Sequence, residues 1–213
     1  MNVRHALSRV RYGPRKGQHW VRVVLDRTVE GYLTKLGSAG LDAVEISGSG
    51  RAHLPWRSHR TVEYPAFDLV APSDIGQYDV VICEQVLEHV TDPWIATSTL
   101  FSLCRPGGHV VISTPFMLRL HFEPSDYWRF APDGLRELAT AAGFEVVLGR
   151  ISPPEVFEAY PRDAITAARA WAERHPDAPE TGSIQFHADR VQAITDFGRD
   201  YIDFGIYLLR NPG

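Results

Sequence analysis

The chain has 213 residues, enough for one domain with a sizeable core and short for two. Its net charge is −4, with 44% apolar and 23% charged residues, so no global attraction to nucleic acid or to an anionic membrane is expected. No apolar run approaches the roughly 18 residues needed to cross a bilayer, the first residues lack the apolar core of a signal peptide, and Cys83 and Cys104 alone make no disulfide framework, so a cytoplasmic setting is expected.

Charge is unevenly spread. The first forty residues hold eight Lys or Arg (Arg4, Arg9, Arg11, Arg15, Lys16, Arg22, Arg27, Lys35) against Asp26 and Glu30. Residues 1–18 read as a basic arm, either a cover for an anionic ligand or a solvated terminus. From His19 to Leu36 the apolar spacing predicts an amphipathic helix, ended by Gly37. Leu41–Ile46 is a short strand, and Ser47–Gly50 is a turn of small residues. A second strand is predicted over Arg60–Tyr64, ending at Pro65.

Asp79–Cys83 is a short apolar run, as expected of a strand covered on both faces. Glu84 and Gln85 place polar groups at its carboxyl end, where open α/β sheets form their ligand crevice. A helix is expected to start around Glu88 and His89, followed by a Pro106-Gly107-Gly108 turn and a buried strand over Val110–Ser113. Residues 116–130 are a loop rich in His, aromatic and charged residues. Pro132–Ala142 predicts a helix and Phe144–Leu148 a strand. Helices are predicted over 164–174 and 187–197, and a last strand over 205–210. Strands alternate with helices, so the fold class is α/β with a mainly parallel sheet. One domain is expected: arm and helix over 1–40, a ligand-binding core over 41–150, a helical cover or homodimer element over 151–204, and the last strand over 205–213.

Three groups of residues carry candidate chemistry. Glu45 with Ser47, Gly48, Ser49 and Gly50 forms an acidic strand end followed by Gly-x-Gly. The glycines permit left-handed backbone and close approach of a nucleotide-like ligand; a plain tight turn is the alternative. Glu63 stands where an acidic residue accepts hydrogen bonds from ribose hydroxyls in Rossmann-like sheets. Asp68 is a candidate acceptor for an adenine amino group. GxGxxG is absent, which disfavours a nicotinamide-dependent oxidoreductase. The third group is His121 with Asp126, Tyr127, Trp128 and Arg129. Aromatic faces there suit a sugar ring, Asp and Arg suit its hydroxyls, and His121 suits a general base.

The Glu45–Gly50 stretch, Phe67-Asp68-Leu69, the run Tyr78–Val90 (YDVVICEQVLEHV) and Leu103–Gly108 (LCRPGG) follow in an order that resembles class I S-adenosylmethionine-dependent methyltransferases of the small-molecule type 11 group. The resemblance covers roughly residues 40–150. It implies a seven-stranded Rossmann-like sheet with an antiparallel last strand, helices on both faces, and S-adenosylmethionine held by Glu45, Ser47, Gly48, Gly50, Glu63, Asp68, Glu84 and Gln85. Ser47 replaces the first glycine of the family's E-I-G-C-G-x-G motif, and the stretch before Asp79 is short for the family's third strand.

A subset of that family binds a divalent ion through Glu-x-x-Glu-His with a later histidine. Here Gln85, Glu88, His89 and His121 match in part, which implies Mg²⁺ on Glu88, His89 and His121, and catalytic roles for His89 and His121. The 121–130 loop resembles that of bacterial methyltransferases of glycan and natural-product clusters, including those acting on methylmannose polysaccharides. The expected activity is methyl transfer to a saccharide hydroxyl, with no nucleic-acid or membrane partner. The alternatives are O- or N-methylation of a natural-product small molecule, and a non-catalytic cofactor- or partner-binding module.

Overall fold

A computed structural model describes residues 20–116, 125–151, 154–198 and 204–213. The basic arm over 1–18 and His121 lie outside the described residues. The chain separates into two compact units, one of residues 28–151 and 203–213, the other of residues 1–27 and 152–202.

The larger unit is built on a six-stranded sheet of order β2-β1-β3-β4-β6-β5. Its strands are β1 (Asp42–Ile46), β2 (Ser58–Val62), β3 (Tyr78–Glu84), β4 (Cys104–Pro115), β5 (Glu145–Ile151) and β6 (Phe204–Arg210). β1 pairs in parallel with β2 and β3, and β3 in parallel with β4. β6 runs antiparallel between β4 and β5, as expected of the last strand.

The expected seventh strand is not among the described residues. Residues 63–77, between β2 and β3, hold neither strand nor helix. One parallel crossover takes a dozen or more residues, so this segment serves only to carry the chain from β2 to β3. β2 also ends at Val62, two residues before the expected Tyr64, because the chain turns at once: the Phe67 amide donates to the Glu63 carbonyl at 2.9 Å.

Alternation along the strands explains the packing. Val44 and Ile46, Val81 and Cys83, Val110 and Ile112, and Tyr207 and Leu209 share one apolar cluster with Leu100, Leu103, Leu135 and Leu138. Those leucines come from helices α2 (Pro93–Leu103) and α3 (Pro132–Ala141). The intervening Ala43, Val80, Ile82, Val111 and Leu208 are buried as well, so the sheet is covered on both faces, as parallel sheets must be. Helix α1 (Trp20–Leu36) ends at Gly37, whose φ of 75° suits glycine.

β4 is longer than expected. It begins at Cys104, directly after α2, and takes in the Pro-Gly-Gly residues. Tyr78 pairs with Cys104 but Val80 with His109, so Arg105–Gly108 form an irregularity inside the ladder instead of a turn before it.

The smaller unit contains helices α4 (Pro154–Arg174) and α5 (Thr181–Gly198). Ile165 and Ala168 of α4 meet Ile184 and Ala188 of α5, with Trp171 and Val191 packed alongside.

Candidate active site

β1 and β3 are neighbours in the middle of the sheet, with Ile46 opposite Cys83. Just past their carboxyl ends stand Ser47 and Gln85, with φ of 56° and 57°. Both are non-glycine residues in left-handed backbone, a conformation that concentrates at functional sites. Each is held by a neighbouring strand: the Ser47 amide donates to Val62 O and the Gln85 amide to Ser113 O, both at 2.8 Å. The Gln85 side chain also donates to Ser113 Oγ at 3.1 Å.

The expectation that Gly48 and Gly50 would supply left-handed backbone is corrected here, since that conformation falls on Ser47. Glycine at 48 serves another purpose. A Cβ there would lie 3.1 Å from Glu45 Oε1. Glu45, only 4% exposed, folds under the loop and accepts the Gly50 amide at 2.8 Å and the Arg51 amide at 3.0 Å. The His59 ring lies 3.1 Å from the same carboxylate. Glu45 therefore shapes the loop from beneath.

Sequence reasoning missed Arg51. It is buried, and its guanidinium forks onto Glu84, with Nε to Oε2 at 2.9 Å and Nη2 to Oε1 at 3.0 Å. A cation directly after a small-residue turn, with an acidic residue closing the adjacent strand, was the available signal. Glu63 is exposed just beyond β2. Asp68 is half-buried between buried Phe67 and Leu69, and one of its oxygens accepts the Val70 amide at 2.8 Å.

The helix expected around Glu88 and His89 is a single 3-10 turn over Leu87–His89. The true helix, α2, waits for Asp92, whose carboxylate accepts the amides of Trp94 and Ile95 at 3.0 Å, with Pro93 at its first turn. Glu88 is fully buried, and burial pushes its carboxyl up to about 7. Arg129 pulls it down in part and Asp126 adds to the rise.

The structure brings Glu88 and His89 together with the 125–130 segment. The Glu88 carbonyl accepts the amides of Tyr127 and Trp128. The His89 ring Nδ1 bonds the Ser125 carbonyl, and Trp128 Nε1 donates to Val90 O at 2.8 Å. Trp128 stacks on Phe130 and meets Trp94 edge-on. Asp126 and Arg129, expected to hold acceptor hydroxyls, instead bind each other: Arg129 Nη2 donates to Asp126 Oδ2 at 2.6 Å, and the Asp126 side chain is sealed from solvent. Tyr127 is the exposed member of the group, at 53%.

Among the described residues, no group of three or more His, Cys, Asp or Glu is arranged to hold a metal ion. Glu88 and His89 offer one sealed carboxylate and one imidazole already turned to Ser125, a poor set for a hard cation that wants several oxygens.

The profile of a protein family described as a methyltransferase domain matches residues 12–148. This chain belongs to that methyltransferase family. The ubiquinone biosynthesis O-methyltransferase of Methylococcus capsulatus (strain ATCC 33009 / NCIMB 11132 / Bath) is 31% identical over 147 residues, covering 53% of this chain and 62% of that protein. The enzyme of the same name from Acinetobacter baumannii (strain AYE) is 39% identical over 67 residues, 30% of this chain and 28% of that one. The chain thus spans less than two thirds of these relatives.

Solved structures share the fold. The [4+2]-cyclase SpnF aligns with a TM-score of 0.60 at 14% identity, over 99% of this chain and 92% of that one. A sarcosine dimethylglycine methyltransferase from Galdieria sulphuraria, itself described as putative, aligns at 0.60 and 11% identity, over 89% and 86%. An S-adenosylmethionine-dependent methyltransferase from Geobacter sulfurreducens, in complex with S-adenosylhomocysteine, aligns at 0.52 and 15%, over 86% and 89%.

Proposed function

We propose that this methyltransferase takes S-adenosylmethionine as donor and methylates a hydroxyl on a small ring-bearing acceptor, a saccharide first. The observation that carries the reading is the pair of left-handed residues, Ser47 and Gln85, at the carboxyl ends of two adjacent central strands. That is where an open α/β sheet holds its ligand. The residues present fit the donor. Ser49 and Gly50 are exposed in the loop, and Glu63 stands exposed just beyond β2 to accept from ribose hydroxyls. When bound, the donor supplies an electrophilic methyl on its sulfonium.

The protein's share is alignment and proton removal. Ser47–Gly50, Glu63, Asp68 and Gln85 form the donor side, and Glu84, buried with both oxygens on Arg51, supports it from behind. Tyr127 offers an exposed aromatic face to an acceptor ring, and Trp94 lies exposed at the start of α2 beside Trp128. His121 is the proposed general base. Asp126 and Arg129 fasten the segment and shape the acceptor side indirectly.

The relatives named for ubiquinone biosynthesis favour a second acceptor class, a ring hydroxyl of a quinone precursor. Ser47 in place of the family's first glycine and the basic residues before Trp20 keep a third reading, a non-catalytic cofactor- or partner-binding module. Calorimetry with S-adenosylmethionine, S-adenosylhomocysteine and NAD tests the donor reading, and lack of binding by the first two defeats the proposal. Labelled donor assayed against saccharides and small phenols then names the acceptor.

A further inference from the structure

Arg51 carries a charge at 1% exposure. A buried guanidinium is costly unless it is paired and hydrogen-bonded. Here every part of the residue is engaged with a different element. Its side chain forks onto Glu84, the last residue of β3, and Nη1 lies 3.4 Å from Glu30 Oε1 of α1. Its amide donates to Glu45 near the end of β1, and its carbonyl accepts Trp56 Nε1 at 2.8 Å. One residue thus joins the ends of the two central strands beneath the loop over 47–50.

A buried ion pair is a poor choice for stability alone, because an apolar pair of similar shape is often as stable or more so. The fork gives geometry instead: two parallel charge-assisted bonds fix the Glu84 carboxylate relative to the Arg51 main chain. We propose that Arg51 is a positioning residue for the donor. Resting on the reading that the chain binds S-adenosylmethionine, the Arg51–Glu84 pair sets the register of the 47–50 loop against Gln85, so that donor affinity depends on it beyond its effect on stability.

The test uses the full chain, S-adenosylhomocysteine as calorimetric probe, and thermal unfolding as control. Arg51→Met strands the Glu84 carboxylate, so both affinity and melting temperature fall. The double variant Arg51→Met/Glu84→Leu replaces the pair by apolar groups: it regains the melting temperature but still binds the probe about tenfold more weakly, the size of one lost charge-assisted hydrogen bond. Arg51→Lys keeps the charge without the fork and falls between wild type and Arg51→Met in affinity. With an active acceptor, the KM for donor rises more than kcat falls. Wild-type affinity in the double variant, or in Arg51→Lys if the double variant fails to fold, overturns the inference. Lack of probe binding by the wild type overturns the donor reading itself, a different result.

Discussion

The Tyr127 amide donates to the main-chain carbonyl of Glu88 at 2.8 Å. This bond ties the turn after β3 to the segment before α3. The His89 ring on Ser125 O and the Trp128 indole on Val90 O reinforce it. Two stretches far apart in sequence therefore form one wall, and the Glu88 side chain is sealed behind it at 0% exposure.

That burial gives a pH signature. Burial raises the Glu88 carboxyl from 4.5 to about 7 in the folded chain. An acid whose folded pKa is raised binds its proton more tightly when folded. The Glu88 contribution to stability is therefore level below 4.5, falls as pH rises towards 7, and levels off above. The full drop is about 3 kcal/mol from linkage. Glu88→Gln should abolish it. Urea unfolding of both proteins at pH 4.5, 6 and 8 checks this, and equal slopes in the two would assign the effect elsewhere.

Much of the sheet was legible because its signals are local. Apolar runs such as Asp79–Cys83 and the helix stop at Gly37 depend on neighbours along the chain. The strand count was legible only in part: the shortness of the stretch before Asp79 signals a reduced third strand, against the family pattern of seven, and residues 63–77 hold neither strand nor helix. Glu88 and His89 were misread for a related reason. Their spacing from Gln85, three and four residues, suits a helix face, but the N-cap is Asp92, which satisfies the free amides of α2. The Arg51–Glu84 and Asp126–Arg129 pairs were harder to read, since the local signals for them do not say which charges will be buried together. Burial turns each charge towards the other, and burial is a property of the folded chain.

The opposite end of the strands predicts an acid response without a change at the crevice. The Asp42 carboxylate accepts Arg57 Nε at 2.8 Å, Ser58 Oγ at 2.7 Å and Arg105 Nη1 at 3.0 Å. These partners, Arg57 first, hold it well below the usual carboxylate range of about 3.8. A lowered folded pKa contributes stability that is complete above the unfolded value and lost as pH falls towards the folded one. Asp42→Asn should therefore be less stable than wild type at pH 7, with the gap closing below about pH 3.8 and shrinking in high salt. Affinity for S-adenosylhomocysteine should match wild type. Unfolding midpoints at pH 7, 4 and 3 test the first claim and calorimetry the second; a gap that widens in acid would refute the linkage.

Two adjacent glycines in β4 separate conformational strain from steric exclusion. Gly107 has a φ of 78°, and a Cβ built on it meets nothing within 4 Å. Gly108 has no such backbone demand, yet its Cβ would lie 2.8 Å from Asp79 O, 2.9 Å from Arg105 O and 3.0 Å from Cys104 Sγ. Two of these atoms are main-chain oxygens, held where β3 and β4 lose register, so they cannot swing aside as a side-chain end would. Gly107→Ala should cost about 1 kcal/mol, the ordinary penalty of a left-handed L-residue. Gly108→Ala should cost about 3 kcal/mol, at the upper end of overpacking. Gly107→Asn should recover part of the first loss, since Asn tolerates that backbone, while no larger residue recovers the second. Denaturant unfolding of the three variants decides it. If Gly107→Ala is the more damaging change, the local path of β4 differs from the one described.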